Sequence, residues 1–74
     1  MSEGLQPESP TSRYTGMTIN ERLFAAGLLD AWDRAARARD RQAMIDNLLS
    51  VGIAEWFAAK TADTVLANPA AYGF

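Results

Sequence analysis

Four arginines, at positions 34, 37, 39 and 41, fall within the short run "RAARARDRQ". Guanidinium groups repeated along one helix can grip a phosphate backbone. Here they are interleaved with Asp30, Asp33 and Asp40, so four positive charges against three negative leave residues 30 to 41 at only +1. Asp30 and Asp33 stand four residues ahead of Arg34 and Arg37, the favourable order for pairs on a helix surface. Arginine near a helix C-terminus also suits the macrodipole. The run therefore reads first as a solvated, dipole-matched helix end. Its second reading is a contact with a partner, protein or nucleic acid. No aromatic is interleaved with it to stack on bases, since Trp32 falls on the opposite side of the wheel.

The nine carboxylates occupy surface-type positions, many of them beside a basic residue. A hydrolytic pair needs two carboxyls flanking a pocket, one with a raised pKa, and no such pair stands out. The chain has no histidine and no cysteine, which removes the commonest general base, the thiolate nucleophile and the preferred zinc ligands. Serines and threonines lack a base partner, and "SVGIAEW" is no phosphate-binding loop. The expectation is a protein that is not an enzyme and carries no cofactor and no metal.

Aromatic residues are the remaining chemistry. Phe24, Trp32 and Phe57 read as core. Trp56 lies off the main stripe of its helix, and Leu23 lies off the stripe of its own. Two extra apolar anchors on so small a chain mean either a tightly wrapped bundle or a patch that meets a partner.

The elements that must position these groups are helices. "TINE" at Thr18–Glu21 is a capping box and sets a first helix over about 19–39. Its apolar stripe is Phe24, Leu28, Ala31, Trp32 and Ala35, flanked by Ala25, Leu29 and Ala36. Gly27 falls inside it and marks a close helix crossing. Asp40 caps a second helix at about 41–51, which faces inward with Met44, Ile45, Leu48 and Leu49 and stops at Gly52. The short link favours a helical hairpin, with a helix running on through Asp40 as the competing reading. A third helix spans about 53–67, with Ile53, Phe57, Ala58 and Val65 inward and Trp56 and Leu66 pointing elsewhere. Asn68 and Pro69 end it, the asparagine by tolerating a left-handed turn. Nothing alternates with period two, so no strand is expected.

Seventy-four residues at a net charge of −2 allow one domain and give no general attraction to nucleic acid or anionic membranes. No apolar run reaches the roughly 20 residues of a membrane span, and "MSEGLQPESP" is not a signal peptide, so the cytoplasm is the expected location. Residues 1–17 have no apolar period and read as a disordered arm; Met17, at the head of "MTINERLF", is an alternative translation start. The domain proper is then 18–74. After Pro69, "AAYGF" either folds back as a lid on the core or projects as a hook for another protein's groove, and the small core favours the lid.

"NERLFAAGLLDAWDRAARARDRQAMI" followed by "TADTVLANPAAYGF" resembles a group of small uncharacterised bacterial helical proteins that open with N-E-R-L-F and close on A-N-P-x-x-Y-G-F. The likeness covers residues 18–74, and the tail is its more distinctive part. It implies a bacterial, cytoplasmic origin and a tail that belongs to the domain. It assigns no activity and no functional residue.

The sequence thus points to an all-α, three-helix domain, a hairpin plus a third helix, with an N-terminal arm and a packed tail. Its expected work is binding a protein partner, or itself, through Leu23, Trp56, Leu66, Tyr72 and Phe74, with Arg34, Arg37 and Arg41 as an orienting rim. The alternative is a small nucleic-acid-associated regulator that uses the Arg34–Arg41 cluster on phosphates. Steep salt dependence would distinguish it.

Overall fold

A computed structural model describes Tyr14 and residues 16–74. It is all-α: α1 is Ile19–Ala25, α2 Leu29–Arg37, α3 Arg41–Ser50 and α4 Glu55–Ala67, followed by a 3₁₀ helix at Pro69–Tyr72. There is no strand among the described residues. No helix is long and apolar enough to cross a membrane.

The Thr18 capping box forms as expected. The Thr18 hydroxyl accepts from the Glu21 amide at 3.2 Å, and the Thr18 amide donates to the Glu21 carboxylate at 2.8 Å. The helix it starts is short. Gly27 takes φ +72°, the Leu28 amide bonds to the Leu23 carbonyl at 2.8 Å, and the Gly27 amide bonds to the Phe24 carbonyl at 3.0 Å. That pair of bonds is a Schellman stop. The span expected as one helix over 19–39 is therefore two, α1 and α2, and Gly27 is a terminator rather than a crossing point.

The same pattern closes α2, where the Asp40 amide reaches the Ala35 carbonyl at 2.9 Å and the Arg39 amide reaches the Ala36 carbonyl at 3.1 Å. The left-handed residue there is Arg39, at φ +58°. Its guanidinium donates back to the Ala36 carbonyl at 2.8 Å, which ties the side chain to the turn. Asp40 then caps α3 at once by accepting from the Ala43 amide at 3.1 Å. Three residues thus separate α2 from α3, which pack against each other, as α3 does against α4. α4 ends at Asn68 with φ −151°, extended rather than left-handed. The ring of Pro69 disfavours the helical region for the residue before it, and this steric effect overrides asparagine's tolerance for the left-handed turn.

The core is Leu23 from α1, Trp32, Ala35 and Ala36 from α2, Met44, Ile45 and Leu48 from α3, Val51, and Ala58, Ala62 and Val65 from α4. Four of these are alanines, so a few large side chains fill most of the core. Tyr14 also belongs to it. Only 5% exposed, it lies within the span expected as an arm, and its carbonyl accepts from the Met17 amide at 3.0 Å. Of that expected arm, residues 1–13 and 15 lie outside the described residues.

Candidate functional site

The break at Gly27 decides what reaches the surface. It ends α1 one residue after Phe24 and starts α2 in a new phase, so a wheel drawn continuously through 19–39 is wrong for α1. Leu23, expected as an exposed anchor, is fully buried and offers nothing to a partner. Phe24, expected in the core, is 74% exposed. In α4 the inward row is Ala58, Ala62 and Val65, at i, i+4 and i+7. Phe57, expected inward, lies at the margin of that row and is 40% exposed.

Trp56 is out in solvent at 72% exposure. Its ring lies 5.4 Å from that of Phe57, tilted by 52°. Tyr72 is half-exposed and lines a hollow of about 230 Å³ together with Phe57, Lys60 and Val65. Phe57 also borders a hollow of about 330 Å³ with Arg22, Ile53 and Trp56. Trp56 and Phe57 therefore form an aromatic pair on α4, and Tyr72 of the tail extends it as a strip across the smaller hollow that it shares with Phe57.

The strip runs into a larger groove of about 600 Å³, lined by Leu29, Trp32 and Asp33 of α2, Thr61 and Val65 of α4, and the Tyr72 and Phe74 rings. The tail folds back over this side of the molecule. The Phe74 amide donates to the Pro69 carbonyl at 3.0 Å, the Phe74 side chain packs on the core, and the Arg37 guanidinium lies 5.6 Å from its ring centroid. Leu66 is half-buried against the same core. On the other flank a hollow lined by Met17, Glu21, Phe24, Ala25 and Leu29 shares Asn20 and Leu29 with the groove.

The arginines expected as a rim are mostly engaged within the chain. Arg41 makes a forked contact with Asp63, Nε to Oδ1 at 2.6 Å and Nη2 to Oδ2 at 3.3 Å. This hydrogen bond holds the Asp63 carboxyl below the usual carboxylate range and raises the Arg41 guanidinium. Arg37 sits on Phe74 and Arg39 on the carbonyls of its own turn. Arg34 is exposed. Arg22, outside the cluster, joins α1 to the end of α3 by donating to the Met17 carbonyl at 3.2 Å and the Val51 carbonyl at 3.1 Å.

No charged side chain is buried among the described residues. No three carboxylates among them gather as a metal site. The residues that sequence reasoning missed are Phe24, Phe57, Asp33 and Lys60. Lys60 carries one signal, being the sole lysine of the chain. No protein-family profile matches the chain, and no curated protein or solved structure is detectably similar to it.

Proposed function

We propose that this chain is a non-catalytic interaction protein that docks a protein partner through the aromatic strip of Trp56, Phe57 and Tyr72. The observation that carries the reading is Trp56. An indole 72% exposed, paired with a second exposed ring, leaves a large apolar area in water. Clustered surface aromatics of this kind are common anchors of protein interfaces. Arg34, exposed on α2, is a polar contact that sets orientation. The setting that the sequence resemblance implies is a bacterial cytoplasm. The nucleic-acid reading is the weaker one, because Arg37, Arg39 and Arg41 already have partners inside the chain.

The test replaces Trp56 by a photoreactive phenylalanine analogue in the source cell. The expected result is one defined protein adduct, whose yield is unchanged when the crosslinking is repeated in lysate at raised salt, and its loss when Phe57→Asp is introduced alongside. An adduct with nucleic acid, or binding that falls steeply with ionic strength, would sink the proposal.

A further inference from the structure

Beside the aromatic rings stand two charged groups that make no ion pair among the described residues. Four acidic or basic side chains line the hollows of this surface: Glu21, Asp33, Arg22 and Lys60. Glu21 is held by its capping box and Arg22 by two carbonyls. The Asp33 carboxylate and the Lys60 ammonium make no hydrogen bond or ion pair among the described residues. Asp33 lines the larger groove and Lys60 the smaller hollow, and the two share Thr61, Val65 and Tyr72 as a common wall. The two charges therefore stand on either side of that wall, Asp33 on α2 and Lys60 one turn along α4 from Trp56 and Phe57.

That arrangement is what a two-fold interface requires. An isologous contact sets a patch against itself, so that residue i meets residue j and residue j meets residue i. We infer that the partner is a second copy of this chain, in a symmetric dimer whose axis passes near Thr61 and Tyr72. Asp33 meets the second copy's Lys60, and Lys60 meets the second copy's Asp33. Trp56 and Phe57 of each copy are set against the groove between α2, α4 and the tail of the other.

The area is in proportion. An aromatic side chain presents about 150–250 Å², so at exposures of 72%, 50% and 40%, Trp56, Tyr72 and Phe57 leave on the order of 300 Å² uncovered. A standard interface takes roughly 800 Å² from each partner, so the three rings supply a sizeable apolar centre and the walls of the grooves the remainder.

This inference rests on the interaction reading above but fails separately from it. The experiment is sedimentation equilibrium on the full 74-residue chain across a concentration series, with thermal melts of every variant in parallel. The expected result is a dimer that Trp56→Asp converts to a folded monomer, which melts cooperatively at the temperature the unmutated chain shows when too dilute to dimerise. Asp33→Lys alone and Lys60→Asp alone each weaken the dimer by at least about tenfold. Mixing the two single variants restores it, because in the mixed dimer the two lysines of one copy face the two aspartates of the other. Lys60 is exposed, so its variant is expected to fold, which the parallel melt checks; Asp33→Asn takes the place of Asp33→Lys if the latter does not fold, and it too must weaken the dimer. A chain that stays monomeric to about 1 mM, a dimer indifferent to both reversals, or single variants that fail to pair when mixed overturns the inference. If the chain is monomeric while the photoreactive residue captures a different protein, only the dimer is lost. If neither association appears, both readings fall.

Discussion

At the residue scale, Leu23 and Phe24 are adjacent and have opposite fates, and the difference is measurable. Leu23 is fully buried in the core, so Leu23→Ala leaves a cavity and is expected to cost about 2–5 kcal/mol. Phe24 is 74% exposed, and Phe24→Ala is expected to change stability by less than about 0.5 kcal/mol. Urea unfolding of the two variants decides between this placement and the continuous-helix reading, which assigns the larger loss to Phe24. The contrast matters for function as well. Leu23 leaves the group of surface anchors and Phe24 joins it, on the flank of the groove lined by Leu29.

At the element scale, the turns decide the architecture. Gly27 has open space around it, with no neighbouring atom within 4 Å of where a Cβ would stand, so its role is conformational and not steric. Gly27→Ala is expected to destabilise by about 1–2 kcal/mol, because the left-handed backbone penalises any L side chain. Chemical denaturation measures it; a neutral result would mean that the stop between α1 and α2 does not depend on this residue. The turns also explain what could be read in advance. The Thr18 capping box, the Asp40 cap and the Gly52 stop were legible, because each is a local hydrogen-bonding pattern spanning a few residues. Gly27 was visible but ambiguous, since one glycine suits both a close crossing and a terminator. Arg39 gave no sign at all, because a left-handed arginine is specified by its surroundings. Trp56 and Tyr72 were legible as apolar residues off the helical stripes or beyond them. Asp33 and Lys60 were not, because what singles them out is a shared groove wall made by α4 and the tail, which no spacing within one helix encodes.

At the scale of the whole molecule, the question is how few large side chains can hold the four described helices together. Four core positions are alanine, so each remaining large residue carries more of the burial. At roughly 0.05–0.15 kcal/mol per residue, the described part of the chain is stable by only about 3–9 kcal/mol. Both ends of it contribute: Phe74 packs onto the core from the tail, and Tyr14 is 5% exposed upstream of the capping box. Burying an aromatic ring to that extent contributes about 1.5–3 kcal/mol, a large share of that total. A chain beginning at Met17 lacks Tyr14, so it is expected to melt well below the full-length protein, and Tyr14→Ala in the full chain is expected to reproduce most of the loss. The comparison needs only three thermal melts. If the shortened chain is as stable as the full one, Tyr14 adds nothing to the core and the fold is complete from the capping box onward. If both changes cost the same, Tyr14 accounts for what the residues ahead of Met17 add to stability. The core then draws on both ends of the described chain, with α4 and the tail left to carry the aromatic strip.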